Sequence, residues 1–175
     1  MITPKHAITA AHCFEDGDYE DGFTVEISGT TYEVADVYLS KCFDFEDDGP
    51  NSGDLAIIKL TEEVASEILP YPIYTFGDEV GKEFFVMGWG LSGLAGDDPD
   101  DLVEDSEFRV GKNVFEVADG TLDYTLDDPE GDGVDGESIA YSGDSGGPAM
   151  IEKDGVMYIA GVNSGGDCCE YGHVD

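Results

Sequence analysis

Apolar residues in this chain come in short alternating runs closed by glycine or aspartate, a pattern that suits β-strands and leaves little room for helices. Residues 23–27 read apolar-polar-apolar-polar-apolar, and residues 32–38 continue in that style after Ser28-Gly29. Residues 55–60, 84–87 and 156–162 are near-continuous apolar runs and read as further strands. The best helix candidate is 61–69, but Pro70 and Pro72 follow so closely that a turn serves equally well. With 24 glycines in the connections, the spacing predicts an all-β barrel or sandwich. A length of 175 residues fits one domain or part of one.

The connections carry the charge. There are 41 Asp and Glu against 7 Lys and Arg, a net charge of −34. Such self-repulsion marks disordered chains when hydrophobicity is low, but 41% of residues are hydrophobic and 9 Phe, 9 Tyr and 1 Trp can build a core. Nucleic-acid binding is excluded because a phosphate surface needs clustered Lys and Arg, and attraction to anionic lipid fails on the same grounds. No apolar run approaches the ~20 residues of a membrane span, and the first residues show no basic-then-apolar signal pattern.

The acidic stretches 15–21, 44–48, 97–105 and 127–137 fall between predicted strands and read as solvated loops. In the last of them, Asp128, Glu130, Asp132 and Gly133 match the opening of an EF-hand loop, but Ile139 stands where a bidentate Glu is required. No metal site is assigned, and weak cation binding by acidic loops is the remaining option. So acidic a surface stays soluble where salt screens it, which fits a saline habitat or an ordinary acidic secreted protein. Cys13, Cys42, Cys168 and Cys169 make an even count suited to an oxidising compartment, without fixing a connectivity.

Three motifs carry chemistry: Thr9-Ala10-Ala11-His12-Cys13, then Asp54-Leu55-Ala56-Ile57-Ile58-Lys59-Leu60, then Gly143-Asp144-Ser145-Gly146-Gly147-Pro148. A serine hydroxyl is a poor nucleophile until a neutral imidazole accepts its proton, and that imidazole needs a carboxylate on its other nitrogen. Glycines beside the serine let backbone N–H groups approach a developing oxyanion. His6 and His173 lack such a setting and read as surface residues; Trp89 reads as packing.

In this order the motifs resemble those of the chymotrypsin/trypsin-like serine peptidases. Gly88-Trp89-Gly90 is similar to that family's second-barrel Gly-Trp-Gly, and Gly161-Val162-Asn163-Ser164-Gly165-Gly166 to the strand that pairs with substrate backbone. The resemblance implies two antiparallel β-barrels, residues 1–78 with His12 and Asp54 and residues 79–175 with Ser145, crossing over near 76–82. It implies a secreted serine endopeptidase acting on proteins or peptides through an acyl-enzyme, without a cofactor. His12 would be general base and acid, Asp54 its orienter and Ser145 the nucleophile, with the N–H groups of Gly143 and Ser145 as oxyanion hole. Ser164, Gly165 and Gly166 would meet the substrate. Ile139, followed by Ala140, would form the pocket base, and without a carboxylate there a neutral or apolar residue is expected before the scissile bond.

Asp144 has a structural part by the same resemblance: in members activated by cleavage it pairs with the freed N-terminal ammonium. Eleven residues precede His12 and no Ile-Val-Gly-Gly occurs, so a partial domain, incomplete at both ends, is expected. Cys13 would pair upstream of Met1, and Tyr141 stands where a cysteine usually precedes the serine motif. In lacking that cysteine, and in residues 110–113 and 122–128, the chain resembles bacterial secreted members. The alternative is a non-catalytic peptidase-like binding protein or an inactive fragment.

Overall fold

The computed structural model describes residues 1–14, 22–43, 53–94, 98–127 and 133–166. The acidic stretches 15–21 and 44–48, the EF-hand-like positions 128–132, and Cys168, Cys169, His173 and Asp175 lie outside the described residues.

The described chain is nearly all strand and turn, as the alternation predicts. Strands β1 (His6–Thr9), β2 (Thr24–Ile27), β3 (Thr30–Leu39) and β4 (Ala56–Leu60) form one antiparallel sheet in the order β1-β4-β3-β2. Strands β5 (Glu83–Gly88), β6 (Arg109–Val114), β9 (Pro148–Lys153) and β10 (Val156–Val162) form a second, in the order β10-β9-β5-β6. A small ribbon pairs β7 (Val117–Ala118) with β8 (Leu122–Asp123). Two hairpins close tightly because Ser28-Gly29 and Asp154-Gly155 both take positive φ, matching the right-handed twist of the flanking strands.

Each sheet has its own core. In β4 the pleat buries Ala56, Ile58 and Leu60, which meet Phe14, Tyr32 and Val64. In the second sheet Phe84 stacks flat on Phe115, with ring centroids 3.9 Å apart, and Tyr124 meets Phe84 edge-on. Val86, Ala149 and Ile151 complete that cluster.

The stretch 61–69 is a series of turns rather than a helix. Its N–H groups find partners outside any helical ladder: Val64 donates to Pro4 O and Ala65 to the Tyr32 hydroxyl. The linking segment reaches the second sheet at residues 72–74, where Tyr74 N–H donates to Ile159 O and Ile159 N–H to Pro72 O. Trp89, expected as packing, is 62% exposed and leans on Phe108. Among the described residues no helix is long and apolar enough to cross a membrane.

Candidate active site

His12 begins a single 3-10 turn, His12–Phe14, at the end of β1. Ala10 and Ala11 just before it are wholly buried and Phe14 just after it is anchored in the first core, so the backbone that carries the ring is fixed. Asp54 precedes β4, the strand directly paired with β1. That pairing brings the two side chains together: His12 Nδ1 lies 2.6 Å from Asp54 Oδ2, and the His12 N–H donates to Oδ1 at 2.8 Å. The Ser164 hydroxyl donates to the same Oδ2 at 2.5 Å.

These bonds set the charge of Asp54 and the tautomer of His12. Burial alone would push the Asp54 carboxyl up, but the hydrogen bonds from Ser164 and His12 outweigh it and hold the group below its ordinary 3.8. A carboxylate can only accept, so Nδ1 carries the hydrogen of this bond and Nε2 is the ring nitrogen turned away from Asp54.

Ser145 is exposed in the turn between Tyr141 and β9. Three N–H groups of that turn have partners: Asp144 donates to Tyr141 O, Gly146 to Asn163 O and Gly147 to Asp144 O. Among the described residues the N–H groups of Gly143 and Ser145 donate to nothing. Leu91 N–H also binds Ser142 O at 2.9 Å. In a trans peptide the carbonyl and the following N–H point opposite ways, so this bond turns Gly143 N–H away from Leu91. Gly146 presses the turn against the end of β1. A Cβ there would stand 2.1 Å from Thr9 Oγ1, and φ is +78°. Among the described residues the Ser145 hydroxyl itself makes no hydrogen bond.

The carboxylate of Asp144, the neighbour of Ser145, is held on both oxygens. Oδ1 accepts from Gly90 N–H at 2.8 Å and Oδ2 from Tyr141 N–H at 3.0 Å. A Cβ on Gly88 would fall 1.9 Å from Oδ1, so the carboxylate fills the space of a side chain that Gly88 lacks. Asp144 and Ile139 line a cavity of about 1010 Å³ in which Ser164, Gly165 and Gly166 take no part. Ala140 turns toward the second core, with its N–H on the Tyr124 hydroxyl. Ser164, Gly165 and Gly166 are exposed on the Asp54 side of the turn.

Sequence reasoning did not assign a part to Asn163, whose backbone and side chain pin the turn at Gly146, Gly147 and Asp144. Nor did it foresee the hydroxyl of Ser164 on Asp54 or the buried Asn113. The Asn113 amide donates to Thr125 O and Ser138 O, and its oxygen accepts from Val114 N–H. That side chain ties β6 to the segment leading into Ile139. Among the described residues Cys13 and Cys42 form no disulfide.

The trypsin family model matches residues 1–174. The chain is 29% identical to Trypsin-1 of Astacus astacus over 190 residues, covering 97% of this chain and 76% of the relative. It is 35% identical to Ovochymase of Halocynthia roretzi over 107 residues, covering 53% of this chain and 6% of the relative. It is 29% identical to Venom serine protease Bi-VSP of Bombus ignitus over 202 residues, covering 97% of this chain and 51% of the relative. The chain thus spans about three quarters of the first relative, about half of the third and a small part of the second. Matched by that family along nearly its whole length, and built from antiparallel sheets in keeping with the double-barrel fold, the chain belongs to the trypsin family of serine peptidases.

Proposed function

We propose that this chain is the catalytic unit of a secreted serine endopeptidase, with Ser145 as nucleophile, His12 as general base and acid and Asp54 as orienter. Residues 1–78 would contribute His12 and Asp54 and residues 79–175 the nucleophile. The observation that carries the reading is the bracing of Asp54, which accepts from His12 Nδ1, His12 N–H and the Ser164 hydroxyl.

In this scheme Nε2 takes the Ser145 proton as Oγ attacks a peptide carbonyl, and imidazolium forms beside an ionised Asp54. The oxyanion is received by the N–H groups of Gly143 and Ser145, whose lack of other partners among the described residues supports that part. Nε2 then protonates the leaving amine, and water takes its place to hydrolyse the acyl-enzyme. Every group involved is a side chain or amide of the chain itself. Ser164, Gly165 and Gly166 offer backbone to the substrate, while Ile139 and Ala140 favour a neutral or apolar residue before the scissile bond. Disulfides through Cys13, Cys42, Cys168 and Cys169, a saline habitat and weak cation binding by the acidic loops belong to the same proposal.

A second reading, a peptidase-like binding protein, draws on the Ser145 hydroxyl, which has no hydrogen-bond partner among the described residues, although such contacts often tighten only when substrate arrives. The test is intact-mass labelling with a fluorophosphonate, alongside peptide hydrolysis, for the parent and Ser145→Ala. An adduct and hydrolysis in the parent alone are expected. Equal labelling or equal hydrolysis in both overturns the assignment, and a folded parent with neither moves the site to binding.

A further inference from the structure

The Asp144 carboxylate sits directly behind both oxyanion donors, so whatever holds its charge also holds them. Two N–H groups solvate it. Among the described residues that line its cavity the other charged side chains are Asp127, Asp135 and Glu137, all acidic, and Arg109, the one cation. The sheet register places that cation. Arg109 opposes Gly88 in the β5–β6 pair, and directly opposed residues of an antiparallel pair project from the same face. Gly88 has no side chain, and Asp144 Oδ1 fills the place where one would stand. The Asp144 carboxylate therefore occupies the cross-strand position facing Arg109.

We propose that Arg109 is a positioning residue of the nucleophile turn: its guanidinium, steadied by Asp105, supplies the positive charge across the cavity that keeps Asp144 seated against Gly88 and Gly90. Asp105 accepts from Nη1 and Nη2 and the Glu107 carbonyl from Nη1, so the group is held in place at the cavity wall. The Asp105 hydrogen bonds are the main cause of the raised Arg109 value, and the charge of Asp144 adds to them. Without that cation, a carboxylate surrounded by other carboxylates has reason to turn toward solvent. Tyr141 N–H and Gly90 N–H would then lose their acceptor, and the 142–143 peptide its fixed direction.

The proposal rests on the serine peptidase reading for its kinetic consequence but not for its electrostatic one, and the experiment separates the two. Steady-state hydrolysis of a peptide substrate is compared for the parent, Arg109→Gln and Arg109→Lys, beside urea unfolding of Arg109→Gln, Asp144→Asn and the double variant. A misaligned oxyanion donor should lower kcat of Arg109→Gln by about tenfold or more with KM moved less than about threefold, and Arg109→Lys should recover most of it. The urea midpoints should be non-additive, the double variant falling little below Asp144→Asn alone. An unchanged kcat in Arg109→Gln overturns the proposal, and so do additive midpoints, which would place the influence of Arg109 elsewhere. If the parent does not hydrolyse peptides, the peptidase reading fails by itself and the urea cycle alone decides the part of Arg109.

Discussion

At the scale of single residues, the site is governed by how many donors one carboxylate can hold. Asp54 is 8% exposed and accepts three hydrogen bonds, two of them on Oδ2. Of these, the hydroxyl of Ser164 can be removed with least disturbance elsewhere. Because the folded Asp54 value lies below its ordinary 3.8, its ionisation stabilises the fold above that pH, and the contribution fades as pH falls through the lower folded value. Ser164→Ala raises the folded value back toward the ordinary one. Water reaches the site once the hydroxyl is gone, so we expect a loss of about 1 kcal/mol at neutral pH rather than the full worth of a charged hydrogen bond. Urea unfolding at pH 7 and near pH 3 checks the sign: the gap between parent and variant should shrink on acidification, and a gap equal at both would show that Ser164 acts through packing alone.

At the scale of elements, what was legible in the sequence follows from what each strand meets. The runs at 23–27, 32–38, 55–60, 84–87 and 156–162 alternate or stay apolar because their own neighbours in the sheet demand it, and all five lie largely within strands. Strand β6 reads Arg-Val-Gly-Lys-Asn-Val and shows no such pattern, since its inward residue is Asn113, 1% exposed and satisfied by partners at 125 and 138. No local rule foresees a buried amide whose partners are set by the fold. The same holds at the site: His12, Asp54 and Ser145 stand out by residue type and order, whereas the parts of Asn163, Gly88 and Gly90 exist only once distant segments touch. Glycine permits close approach without saying what approaches. Asn113→Ala should orphan two carbonyls and one N–H and destabilise the fold by about 3 kcal/mol, read as a lower urea midpoint. Slower fluorophosphonate labelling should accompany it, because Ser138 leads into residues 139–141. A loss under about 1 kcal/mol would mean that Asn113 is a spectator of the β6 packing.

At the scale of the whole molecule, the question is how a chain with net charge −34 stays folded. Among the described residues five of the seven Lys and Arg are engaged with carboxylates, Lys59 with Asp36, Lys112 with Glu83, Arg109 with Asp105, and Lys82 and Lys153 together with Asp78, while Lys5 donates to Thr61 O. Exposed pairs of this kind add little each and leave most carboxylates without a partner. The compact state therefore works against its own field, and solvent ions are the means of weakening it. Screening shortens the reach of each charge from about 10 Å at 0.1 M salt to about 3 Å at 1 M. On that arithmetic the melting temperature should rise by at least about 5 °C between 0.05 and 1 M NaCl, equivalent to roughly 1–2 kcal/mol for a domain of this size. Calcium chloride at matched ionic strength separates screening from site binding. Equal stabilisation by both salts would assign the effect to the summed charge, with the acidic loops acting as a diffuse field. An excess with calcium would assign part of it to coordination by those loops. A melting temperature flat or falling with NaCl would mean that the fold does not feel its charge, and that the two cores around Leu60 and Phe84 outweigh it at any ionic strength.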